Sequence, residues 1–311
     1  MAGHRSSVAA LARRWYMSLV AVPVFAALLA AESTRTFALV NLVVQLLVFV
    51  PASCLPGWRT KRMSYVDIGW PWGLVAIGML TLVFSERTWF AVGVAIAYLV
   101  MGLRMGLGAL KYLREGEFGK EMPRYRYQRM RWETASLGDE RRDVVAEILV
   151  QAWANSVVLA VPASLAVADR SSHLAGVAVA GFALWALSWV LESVADMQKL
   201  AFVRGAQRGE CCEAGMWGYS RHPNYFFQWM QWTWLAVACT PAMVHRYDQE
   251  SAVVAVVLTL GLALTSLLML WCLIWYTGAI PAEYYSAAKR PAYREYQSRV
   301  NRFVPGPPRR T

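Results

Sequence analysis

The sequence predicts an all-α fold, a polytopic transmembrane helical bundle of about 7-8 spans with cytosolic loops and a C-terminal interfacial segment. Three observations carry this. Apolar residues make up 57% of the 311 residues and charged residues only 16%. Apolar runs long enough to cross a bilayer recur along the chain. No alternating strand pattern repeats, and backbone groups in lipid must pair internally, so the spans are helices rather than barrel strands.

The first run, Trp15 to Ala31, follows Arg5, Arg13 and Arg14. That layout has the shape of a signal peptide, but Pro23 and the length of the run fit a retained first span, which is the expectation. Further spans are expected at residues 37–56, 70–84, 88–103, 144–168, 174–195, 225–243 and 252–276. With the N-terminus in the cytosol, alternation leaves only Arg35, Arg87, Arg170 and Arg246 of the 31 Lys and Arg residues outside. Both termini are therefore expected in the cytosol. The net charge of +11 is explained by this loop bias, and no nucleic-acid partner is expected. Membrane lipids are the expected surroundings, in the endoplasmic reticulum or a bacterial inner membrane. The five cysteines form no CxxC pair, and no Cys/His cluster has zinc spacing, so no metal site is expected.

The chemistry is concentrated in GMWGYSRHPNYFFQWMQ, residues 215–231. Pro223 is placed to open a helix. Asn224, Gln228 and Gln231 fall at offsets of about 0, 4 and 7 and share one face. Arg221 and His222 stand at its mouth. A carboxamide stripe in an otherwise aromatic helix is costly in lipid unless something polar meets it, so the stripe reads as one wall of an intramembrane pocket.

Other candidates surround it. Trp185, Trp189, Glu192, Asp196 and Lys199 share one face of the helix expected over 174–199, where carboxylates can accept from hydroxyl or amino groups. The bland alternative is an interfacial snorkelling cluster. Asp67, in SYVDIGWPWG, either caps the third span or points inward and tunes a proton donor, with Tyr65 two residues before it. The basic, aromatic segment from Arg104 to Asp143 is either an anionic-lipid contact or a lid that meets phosphates. Glu283, Tyr284 and Tyr285 follow the last span. The tail from Lys289 to Arg302 reads as an interfacial helix, or as a segment that packs against the Arg104–Asp143 loop and closes over an anionic cofactor. No P-loop, complete dinucleotide fingerprint or GxSxG elbow is present, and His4, His173 and His245 are scattered.

SRHPNYF, a downstream IPxE and the tail RPAYREYQxRVxxFVPxPP together resemble the steroid 5-alpha-reductase-like membrane family, in particular a bacterial and protist branch of it. VDxxW at Asp67 to Trp70, the helix end at Arg104 and ExxAD at Glu192 to Asp196 follow the same order. The resemblance divides the chain into N-terminal spans, 1-60, and a reductase-like membrane domain, 61-308. It implies NADPH held inside the membrane from the cytosolic side and hydride transfer to a carbon–carbon double bond of a sterol, steroid or other lipid enone. It implies cofactor contacts from Arg104, Arg114, Arg221, His222, Asn224 and Tyr225, with Glu192, Asp196 and Lys199 near the adenosine part. Glu283, Tyr284 and Tyr285 would lie nearby. Asp67, Tyr65 and Gln228 are the expected catalytic residues.

Two positions depart from the family pattern. Phe227 and Gln228 stand where Gly-Glu is usual, and Met101 stands about where a tyrosine is expected. RHPxY followed by a distant glutamate is also similar to the isoprenylcysteine carboxyl methyltransferase family, which implies S-adenosylmethionine instead. A non-catalytic lipid-binding relative is the third reading, motivated by Gln228.

Overall fold

Every regular element among the described residues is helical. The computed structural model describes residues 10–11, 14–132, 135–171, 175–205 and 210–309. Arg5, Arg13, His4 and His173 lie outside them. In chain order, α1 spans Tyr16–Ala30, α2 Glu32–Phe49, α3 Leu55–Thr60, α4 Val66–Phe84, α5 Trp89–Arg114, α6 Pro123–Trp132 and α7 Glu140–Ser156. Then come α8 Val161–Ala168, α9 Gly176–Gly205, α10 Pro223–Ala238, α11 Thr240–Tyr247, α12 Ala252–Trp271, α13 Ala279–Lys289 and α14 Pro291–Arg299.

Six helical stretches among the described residues are long and apolar enough to cross a membrane: 32–60, 63–84, 89–114, 140–168, 176–205 and 252–289. The protein is a multi-pass helical bundle. The remaining two expected spans are shorter helices. α1 has 15 residues and α10 has 16, so each reaches only about 23–24 Å at the α-helical rise. Pro241, in the first turn of α11, breaks the expected 225–243 run. Conversely, α5 and α9 continue past residues 103 and 195, to Arg114 and Gly205, and Arg104 pairs across them with Glu192 and Asp196.

Close backbone approach sets the two largest helix pairings, α4 with α5 and α9 with α10. A Cβ on Gly102 would sit 2.7 Å from the Pro71 carbonyl oxygen, and one on Gly181 would sit 2.7 Å from the Ala238 nitrogen. Small residues at such crossings substitute for the hydrophobic drive that lipid removes. Carboxamides then tie the helices together. Asn41 Nδ2 donates to Ser156 O at 2.9 Å, Gln45 Nε2 to Gly73 O at 2.9 Å, and Asn155 Nδ2 to Trp70 O at 3.0 Å. The irregular turn between α7 and α8 is satisfied the same way, with Thr265 Oγ1 donating to Val158 O at 2.9 Å and the Tyr98 hydroxyl to Leu159 O.

The N-terminal helix is held by a buried ion cluster. The Arg14 guanidinium lies between the rings of Trp15 and Trp132 and pairs with both Asp143 and Glu147 of α7. It also donates to Ala135 O at 2.6 Å. Trp15 Nε1 and the Tyr276 hydroxyl donate to Glu147 as well. Replacing Arg14 with Met leaves two buried carboxylates without their cation. The expected cost is about 3–5 kcal/mol, read as a large drop in the thermal midpoint of the detergent-solubilised protein. A midpoint unchanged from wild type would show that α1 is not anchored there.

Candidate functional site

α4, α5, α6, α7, α9, α10 and the end of α12 enclose a cavity of about 500 Å3. Asp67, Arg104, Glu192, Asp196, Asn224, Tyr225 and Gln228 all line it. The amide stripe of α10 therefore faces inward. Asn224 Nδ2 donates to Asp196 Oδ1 at 2.9 Å, Gln231 Nε2 to Glu192 Oε2 at 2.6 Å, and Gln228 Nε2 to Met105 Sδ at 3.2 Å. Arg104 closes this group, with Nη1 2.5 Å from Glu192 Oε2 and Nη2 2.6 Å from Asp196 Oδ2. The Asn224 Oδ1 atom is buried and has no hydrogen-bond partner.

A second polar group lines the same cavity. Asp67, in the first turn of α4, pairs with Arg124 and accepts from the Tyr125 hydroxyl, both from α6. Burial, reinforced by the Asp67 carboxylate, pushes the Tyr125 phenol well above its ordinary pKa. Tyr125 thus stays protonated and acts as a donor. Tyr65, the phenol expected beside Asp67, instead stacks on Phe118 with ring centres 5.4 Å apart. The lining of the cavity does not include it.

The remaining expected residues are placed elsewhere. Arg114 is exposed in the last turn of α5. Lys199 sits 4.5 Å from the Trp217 ring centre. Tyr284 packs on Tyr127, and Tyr285 lies under Arg126, so α13 meets α6. The expected tail, Lys289 to Arg302, instead packs on residues 210–222, with Arg299 paired to Glu213 and the Tyr296 hydroxyl donating to Trp217 O at 2.6 Å. Arg221, His222 and Glu283 form a buried latch. Arg221 reaches Glu283 through Nε at 2.7 Å and Nη2 at 3.1 Å, and its Nη1 donates to Gln297 O at 3.0 Å and to Val300 O. The Arg221 backbone N–H donates to Asn301 O at 2.8 Å, and His222 Nε2 lies 3.2 Å from Glu283 Oε1. With its donors taken up by the tail, Arg221 has a positioning role: it fixes the start of α10.

The sequence motifs lie almost wholly within one family match. The family described as "Protein of unknown function (DUF1295)" matches residues 55–300. The chain belongs to the DUF1295 family. Its match begins at the first residue of α3, so α1 and α2 lie outside it. Nothing matches the chain among curated proteins or solved structures.

Within the DUF1295 region, Tyr125, Trp70, Gln151 and Cys272 also line the cavity, and sequence reading gave them no role there. A signal for Gln151 did exist. Glu147, Gln151 and Asn155 recur at intervals of four in an apolar run, which places three polar side chains on one face.

Burial lowers the His222 pKa below the ordinary histidine value. The unfolded chain then takes up a proton at a higher pH than the folded one. The latch therefore contributes its full stability above about pH 6.5 and loses it as pH falls below that toward the folded value. The thermal midpoint is expected to drop over that window in wild type and to drop less in His222→Gln. Identical profiles would remove His222 as the titrating group.

Proposed function

We propose that this cavity binds NADPH and that the protein is a membrane-embedded reductase acting on a carbon–carbon double bond of a lipid enone. The observation that carries the reading is the convergence of Arg104, Glu192, Asp196, Asn224 and Gln228 on one cavity that also holds the Asp67–Tyr125 pair. It agrees with the resemblance to steroid 5-alpha-reductase-like proteins. The donor set fits the cofactor. The unpartnered Asn224 Oδ1 suits the amide N–H of a nicotinamide carboxamide, and Arg104 and Arg124 suit phosphate oxygens. Bound there, the reduced nicotinamide supplies the hydride.

The chain's own residues supply the rest. The Tyr125 hydroxyl, whose proton Asp67 accepts in this structure, turns that proton to the enone oxygen and stabilises it as charge develops there. Asn224 and Gln228 orient the carboxamide. Trp70, Met269 and Leu273 exclude water from the reacting carbons.

One observation favours a second reading. Three carboxylates, Asp67, Glu192 and Asp196, meet only two guanidiniums, Arg104 and Arg124, on the cavity wall. An acidic excess suits the cationic sulfonium of S-adenosylmethionine better than phosphates, as in a membrane methyltransferase. A non-catalytic lipid-binding protein is the third.

Cofactor binding separates them. Purified protein in detergent is expected to be stabilised against heat by NADPH, with a change in nicotinamide fluorescence. Stabilisation by S-adenosylmethionine alone would move the assignment to the methyltransferase, and no response to either would leave the lipid-binding reading. Asn224→Ala is expected to weaken NADPH binding about five-fold or more, the loss of one buried polar pairing. Tyr125→Phe is expected to leave NADPH binding intact and lower the turnover of an enone about 100-fold or more, as removal of a general acid does. Unchanged turnover in that variant would take Tyr125 out of the reaction.

A further inference from the structure

Beneath the N-terminal helix lies a second space. α1, α7 and α12 bound an apolar slot of about 60 Å3, lined by Ser18, Ala21, Trp153 and Leu268 among others. Trp70, Gln151, Met269 and Cys272 line both the slot and the main cavity, so the two spaces meet at these side chains. Arg14, Glu147 and Tyr276 also line the slot and are already bonded to one another. Part of the slot comes from α1, which lies outside the family match.

The carboxamide nitrogen of Gln151 is buried at this junction and has no hydrogen-bond partner. An unmade bond of this kind is costly in a buried site, and an acceptor oxygen from a ligand would relieve it. The slot's volume limits what can follow that oxygen. One water-sized group needs roughly 10–15 Å3 on this measure, so the slot admits on the order of four to six such groups in file. A flexible methylene chain meets that limit. A rigid four-ring sterol nucleus does not.

We propose that the slot receives the first methylenes of an unbranched acyl chain, about four to six of them, and that Gln151 donates a hydrogen bond to the carbonyl oxygen at the head of that chain. This assigns the substrate class of the main cavity and rests on the reading of that cavity as the reaction site.

The test uses the full-length protein in nanodiscs and a fatty acyl methyl ester carrying a diazirine about four carbons from its carbonyl, within the reach of the slot. Met269 is only 3% exposed, so bilayer lipid outside the bundle does not reach it. Photolabelling is expected at Met269 in wild type. It should fall about five-fold or more in Ser18→Trp, which fills the slot, while labelling of the exposed Val253 and Leu260 persists. Gln151→Leu should lower Met269 labelling by the ester about five-fold and leave labelling by a diazirine alkane without a carbonyl unchanged. No label at Met269 in wild type, equal label in Ser18→Trp, or label by a diazirine sterol as strong as by the ester would each overturn the proposal. An equal response of both probes to Gln151→Leu would overturn the role of that residue. Thermal shifts with NADPH and S-adenosylmethionine on the same preparations keep the two readings apart. The expected labelling in protein that neither cofactor stabilises would support the slot and discard the reductase.

Discussion

Ionic groups in an apolar bundle need partners from within it. That constraint organises this protein more than any single apolar contact. Lipid offers no water to an unpaired guanidinium or carboxylate. Arg104 is therefore shared between Glu192 and Asp196, Asp67 between Arg124 and Tyr125, and Arg14 between Asp143 and Glu147. Each cluster joins elements distant in sequence: α5 to α9, α4 to α6, and the N-terminal helix to α7. The clusters sit where apolar packing alone would let the helices slide.

The same clusters give the central cavity its two-sided character. One wall carries carboxamides from α10 backed by the acids of α9. The other carries a phenol and a guanidinium from α6 around one acid of α4. Each side chain is fixed by a neighbour on a different helix. A ligand in between meets donors and acceptors whose positions are set in advance, which lowers the cost of ordering them on binding. Asp67, Tyr125 and Asn224 all line this space, and the Asn224 Oδ1 is buried without a partner.

Much of this was legible in the residues, for physical reasons. Hydropathy and the lack of strand alternation gave the helical bundle, and the spacing of Asn224, Gln228 and Gln231 gave the inward stripe, because side-chain direction on a helix follows from register. What register does not give is the partner across a gap. Tyr65 is nearer to Asp67 in sequence, but the helix that begins at Pro123 brings Tyr125 to it instead. Arg221 has the chemistry of a phosphate ligand, and only the fold shows its donors taken by Glu283 and by backbone carbonyls. The shortness of α10 escaped hydropathy because apolar residues continue past its end, where Pro241 opens a new helix.

The Arg221 latch bears on how the protein is made. The guanidinium that sets the mouth of α10 is gripped by a carbonyl 76 residues further along the chain. During synthesis, α10 emerges long before that segment exists. Until the segment arrives, the carbonyls of Gln297 and Val300 that hold the Arg221 guanidinium are missing and only Glu283 can pair with it. Assembly at this corner is therefore a late event in biogenesis, exposed to quality control in a way that the early pairing of α4 with α5 is not.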